Sequence, residues 1–330
     1  MLRFDSWQRG RTVSDVLCRL FPTGPRTVLD VGGGTGESLT LPAHWSVVSV
    51  DIRTAACEDF VCGSADRLPF HDKAFDVAVC LDTLEHLPEG LRNNSLSELC
   101  RIAREAIVVT APFHQESVRE AEKAVNDLHV KLHGERHPWL SEHLQYPLPD
   151  LEATCAMFQQ NGWPVSKMPM GFLPIWTMLM LTDQILESQG GSLDTANNLD
   201  RIYREEIYPT DSRHPAYRTL IVATKPPLEP FAPQPIADPG RLITGTCQLL
   251  TELTPLWVSC IQPRSDEYDS SQEIAAQYVE RLEQAIAGWE IAYGEALALA
   301  EKGHRRMAEL EQRRSFRIYQ QVMRWLGREV

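Results

Sequence analysis

The chain has 330 residues, 45 acidic against 32 basic, for a formal net charge of −13. Phosphate backbones call for a basic face, so this balance argues against a nucleic-acid substrate, and the length suffices for one core of about 220 residues plus appended material. Eight cysteines with no C-x-x-C pair point to buried free thiols in a reducing cytosol rather than to zinc. The N-terminus lacks a hydrophobic signal core, and the longest apolar run, 171–181, is too short to span a bilayer. A cytoplasmic protein, soluble or peripheral on a membrane, is the expectation.

A leading helix is predicted over 11–21. The segment Val28-Leu29-Asp30-Val31-Gly32-Gly33-Gly34-Thr35-Gly36 then reads as an apolar strand ending in an acid and running into a glycine loop. Without Cβ atoms such a loop can turn sharply off a strand and approach a ligand closely. A dinucleotide loop would need glycine where Glu37 stands, and a Walker loop would need a lysine after Gly36. What fits is D-x-G-x-G-x-G. A second strand, Val47–Val50, ends in Asp51, where a carboxylate can accept both hydroxyls of a ribose. Gly63–Phe70 forms a loop carrying Asp66, Phe75–Leu81 a fourth strand, and Leu84-Glu85-His86-Leu87-Pro88 follows it.

These four elements, in this order, resemble the class I S-adenosylmethionine-dependent methyltransferases of the type 11 group. D-x-G-x-G-x-G stands as their motif I, Asp66 as the acid that takes the adenine amine, and Leu84–Leu87 as their "LEHL" element. The resemblance implies an α/β fold with a Rossmann-like seven-stranded sheet and S-adenosylmethionine as cofactor. It implies a cofactor site of Asp30, Gly32, Gly33, Gly34, Gly36, Asp51, Ile52, Asp66, Arg67 and Leu81.

Farther along, Ile107–Thr110 reads as the fifth strand, 150–160 as a helix before a sixth strand near Val165, and Tyr217–Thr224 as the seventh. The methyltransferase domain is thus expected over 1–224. Two insertions, 113–145 and 172–216, can reach the carboxyl edge of the sheet and form an acceptor lid. Methyl transfer from a sulfonium is an in-line displacement that needs alignment, exclusion of water and removal of one proton. His86 is the first candidate base, with Glu85 orienting it; His133, His137 and His143 of the first insertion are the others. Pro138 interrupts the helix that would bring His133, His137 and His143 to one face, so no metal is expected. The run Met168, Met170, Trp176, Met178, Met180 is open to two readings, a flexible acceptor surface or core packing.

Six prolines between Lys225 and Leu242 mark an extended linker, followed by an uncertain segment to 271. From 272 to 310, apolar residues recur at steps of three and four from Val279 to Leu310, a heptad seam suited to a homodimer. Residues 302–330 carry eight basic against three acidic side chains, a local +5 that leaves −18 for the rest. Such a basic amphipathic helix suits an anionic membrane surface or an acidic protein partner. The segments His137–Asp150 and Arg314–Arg328 resemble parts of methyltransferases associated with bacterial surface polysaccharides. The reading at this level is O-methylation of a saccharide or surface-glycan intermediate. A methyltransferase of a small natural product, acting on oxygen or nitrogen, is the alternative, and a coiled-coil scaffold with a vestigial fold the alternative of another class.

Overall fold

The computed structural model describes residues 2–34, 39–53, 59–188, 192–226, 228, 231, 242 and 244–253. Gly36, the heptad seam and the basic tail lie outside them. Seven strands form one sheet: β1 (Thr27–Val31), β2 (Ser46–Asp51), β3 (Phe60–Cys62), β4 (Phe75–Leu81), β5 (Ala103–Ala111), β6 (Val165–Phe172) and β7 (Ala216–Thr224), in the order β3-β2-β1-β4-β5-β7-β6. The first five are parallel, and β7 runs antiparallel to both β5 and β6. This is the Rossmann-like class I methyltransferase sheet that the sequence predicted. Central strands covered on both faces need continuous apolar runs, and β4, β5 and β7 supply them.

Helix α1 (Phe4–Leu20) covers one face, setting Val13, Val16 and Leu17 on Val28, Val77, Val108 and Leu220. The other face is covered by α2 (Glu89–Ile102), through Leu96, Leu99 and Ile102, and by α5 (Leu151–Gln160), through Cys155 and Phe158. Asp150 caps α5, accepting the Ala153 amide at 2.7 Å and so satisfying one of its orphan donors.

The first insertion folds as α3 (Glu116–His133) and α4 (Pro138–Gln145), and the second as α6 (Leu173–Ser188), α7 (Leu193–Ile202) and short irregular turns. α3 stops at Gly134, whose φ of 78° is left-handed backbone, and Pro138 opens α4 at a position where its missing N–H costs nothing. α3 packs on α6, and His129 Nδ1 bonds Gln184 Oε1 between them.

Several expectations are corrected. α1 starts at Phe4, a full two turns before 11, because Phe4 and Gln8 are buried. Between β1 and β2 the described residues 43–45 form a turn, and the Thr40 amide bonds Ser14 Oγ of α1 at 2.9 Å. Past Thr224, the described Phe231, Leu242, Leu249 and Leu253 are all buried. Met168, Met170 and Trp176 belong to the core. Among the described cysteines, Cys18, Cys62 and Cys247 are exposed free thiols rather than buried ones, whereas burial pushes the Cys80 thiol well up. Among the described residues no helix is long and apolar enough to cross a membrane.

Candidate functional site

β1 and β4 lie side by side, and the chain leaves them toward opposite edges of the sheet, so their carboxyl ends form the crevice where α/β folds bind ligands. At that crevice the glycine loop folds back over its own strand. Gly32 has a φ of 79°, and a Cβ there would run into the Thr83 side chain. A Cβ on Gly33 would overlap the Asp30 carboxylate, which is fully buried. Past them, at Gly34, a Cβ would meet nothing nearer than Arg53 Nη2 at 3.8 Å, so the loop opens toward β2. Gly33→Ala should therefore displace the loop and lower affinity for S-adenosylhomocysteine more than tenfold, which calorimetry reads directly.

Asp51 ends β2 at the same edge. Its Oδ1 accepts the Arg53 amide at 2.9 Å and its Oδ2 accepts Arg53 Nη2 at 3.1 Å. Burial acts to raise its carboxyl, but the hydrogen bonds from Arg53 outweigh burial and leave it below the ordinary carboxylate value. The Arg53 side chain is 64% exposed, so its guanidinium can yield the carboxylate to a pair of hydroxyls. The Asp66 turn is tied to the same strand, since the Gly63 amide donates to Asp51 O at 3.0 Å, and Asp66 accepts the Ser64 hydroxyl. Ile52 is 74% exposed and Arg67 exposed beside this edge, while Leu81 is buried beneath it. Two carboxylates at one sheet edge, beside a sterically constrained glycine turn, are what the cofactor expected from the sequence would need.

His86 stands in the short turn Leu84–His86 after β4. Its Nδ1 lies 2.7 Å from Glu142 Oε2 of α4, and its ring is 5.0 Å from that of His143 and 5.8 Å from that of Trp139. His143 Nδ1 lies 2.9 Å from Glu122 Oε1 of α3, an oxygen that also accepts the Tyr217 hydroxyl at 2.9 Å. Four elements thus converge here, the first insertion supplying α3 and α4. Burial lowers the His86 pKa and neighbouring His143 adds to the effect, against the pull of Glu142, so the ring is neutral near pH 7 with a lone pair available.

The four candidate histidines fall into two groups. His86 and His143 meet; His133 and His137 instead surround His129, with centroids at 4.4 and 5.1 Å from it. His137 caps α4, its Nδ1 accepting the Leu140 amide at 3.4 Å. Burial holds His137 down at about 4, with His129 and His143 contributing. Its unfolded value is about 6.5, so below that pH the unfolded chain takes the proton first and stability falls until about pH 4. Urea midpoints should accordingly drop between pH 6.5 and 4, and His137→Gln should flatten that drop.

Beside these stands an ion cluster among residues far apart in the chain. Arg218 of β7 donates through Nη1 and Nη2 to Asp5 at 2.8 Å each and through Nε to Asp82. Arg9 Nη1 donates to the same Asp82 oxygen at 2.9 Å, and Thr110 Oγ1 to its other oxygen at 2.8 Å. Burial works to raise the Asp82 carboxyl, and the two guanidiniums hold it well below the usual range. Trp176 completes the cluster, its Nε1 donating to Asp5 at 2.8 Å and its ring stacked 3.5 Å from that of Tyr217.

Residues 29–109 match the family model of a methyltransferase domain. No curated protein matches the chain. Solved structures of similar fold include a methyltransferase assigned to antibiotic biosynthesis in Anabaena variabilis, 14% identical, covering 67% of this chain and 99% of that one at a TM-score of 0.40. Another is magnesium protoporphyrin IX methyltransferase of Synechocystis with bound S-adenosylhomocysteine, 16% identical, covering 67% and 86% at 0.40. The match over 29–109 is to a methyltransferase domain, in keeping with the S-adenosylmethionine cofactor expected of the glycine loop and its strand order.

Proposed function

We propose that the protein transfers the methyl group of S-adenosylmethionine to a hydroxyl of a saccharide or surface-glycan intermediate. Asp51 and Asp66 would hold the ribose and adenine, and the turn over Gly32, Gly33 and Gly34 would bring backbone against the rest of the cofactor. The observation that carries the acceptor side is the His86 ring, fixed by Glu142 at 2.7 Å and neutral, beside a Trp139 that is 53% exposed. A fixed imidazole suits removal of a hydroxyl proton during in-line attack on the sulfonium, and an exposed indole with a guanidinium beside it suits the apolar face and hydroxyl rim of a sugar. Arg53, 5.8 Å from the Trp139 ring, links this lid to the cofactor acid Asp51. The basic tail over 302–330 is proposed to hold the enzyme at an anionic membrane surface or on an acidic partner, and 272–310 to pair two copies.

Labelled S-adenosylmethionine, incubated with nucleotide sugars, lipid-linked glycans and small phenols and amines, tests the reading. Label recovered as an O-methyl sugar supports it, and label found only on amines or phenols overturns the saccharide assignment. His86→Ala should cut turnover about a hundredfold with cofactor affinity unchanged; loss of both together would make His86 structural.

A further inference from the structure

Glu85, His86 and His143 present ligand-type atoms that all lie within 4.8 Å of one another. Each histidine has one nitrogen already committed: His86 Nδ1 to Glu142 at 2.7 Å and His143 Nδ1 to Glu122 at 2.9 Å. With Nδ1 donating to a carboxylate, each ring carries its lone pair on Nε2, the tautomer that binds metals and the carboxylate backing that metal-bound histidines commonly have. His143 Nε2 is buried and has no hydrogen-bond partner, with the side chain only 5% exposed. Glu85 Oε2 is likewise buried and unpartnered, in a residue 1% exposed. Two orphaned buried polar atoms on a shared centre are costly unless something satisfies them.

We propose that Glu85, His86 and His143 bind a divalent first-row transition ion. Two imidazoles and one carboxylate form an N/N/O donor set of the kind that holds zinc, iron(II), cobalt(II) or manganese(II) while leaving coordination positions open. Asp5 and Asp82 are paired with Arg9 and Arg218, so those guanidiniums are engaged with other partners, and Glu142 and Glu122 back the two rings of the trio. Arg92 also interacts with Glu85, and its Nε donates to Leu87 O at 3.1 Å. In the metal-loaded protein His86 would serve as a ligand and not as the free base, and a hydroxyl oxygen bound to the ion would release its proton to solvent at lower pH than in water. The trio stands on geometry and not on methyl transfer, so its test is independent of activity.

The full chain, stripped with chelator, is titrated with cobalt(II) and read by its visible absorption, and retained zinc and manganese are measured after gel filtration. One equivalent per chain with ligand-field bands is expected. Glu85→Gln and His143→Gln should each weaken binding at least about a hundredfold, and Glu142→Gln about tenfold, with S-adenosylhomocysteine affinity retained as the check on folding. Absence of stoichiometric binding of all three ions by the folded wild type, or bands unaltered in both Glu85→Gln and His143→Gln, would overturn the site.

Discussion

Arg218→Met should destabilise the domain by about 3 to 5 kcal/mol, the cost of leaving buried carboxylates without their counter-charge. The side chain is 3% exposed and is the hub for Asp5 and Asp82; Asp82 retains Arg9, but Asp5 loses both of its guanidinium bonds. Chemical denaturation measures the loss. Replacing Asp5 by leucine in the same variant should recover part of it, because a buried apolar pair is often no less stable than a buried ion pair. Recovery would show that the cost is electrostatic, whereas a further loss would show that Asp5 matters for its bond to Trp176.

Asp51→Ala carries the other large effect. A charged acceptor holding two ribose hydroxyls contributes about 2 to 3 kcal/mol, so cofactor affinity should fall about a hundredfold. The alanine also frees Arg53, whose stability contribution through so exposed an ion pair is small. Thermal stability without ligand should therefore move little while calorimetric affinity collapses. Affinity within threefold of wild type would remove Asp51 from the cofactor site.

The strands were legible because their signal is local. Val28–Val31, Val47–Val50 and Phe75–Leu81 are short apolar runs closed by an acid or a turn, and the structure places each as a parallel strand of the central sheet. Asp30 and Asp51 fall in the last two positions of β1 and β2, where the apolar runs put them. The lid was not legible in this way. Helix boundaries at Gly134 and Pro138 follow from backbone chemistry, but which histidines meet depends on how α4 returns onto the turn after β4. Sequence spacing grouped His133, His137 and His143, whereas packing joined His143 to His86, which is 57 positions away, and left His133 and His137 with His129. Glu122 and Glu142 were visible only as interleaved acids, and their pairing with the two rings required the fold. The Arg218 cluster joins residues as much as 213 positions apart, and a buried arginine in an otherwise apolar strand is the one trace of it in the sequence. Beyond Thr224, six prolines signal a break in regular structure, yet Phe231 and the leucines at 242, 249 and 253 still find buried positions, which composition does not show.

Everything proposed for the acceptor depends on the crevice between β1, β2 and β4 holding the cofactor. Calorimetric titration of the full chain with S-adenosylhomocysteine, alongside Asp51→Ala and Gly33→Ala, measures that directly. One saturable site per chain with micromolar affinity, weakened about a hundredfold by Asp51→Ala and more than tenfold by Gly33→Ala, is the predicted result. A folded wild-type protein that gives no binding heat across a range of temperatures, or one whose affinity ignores both substitutions, would contradict the account.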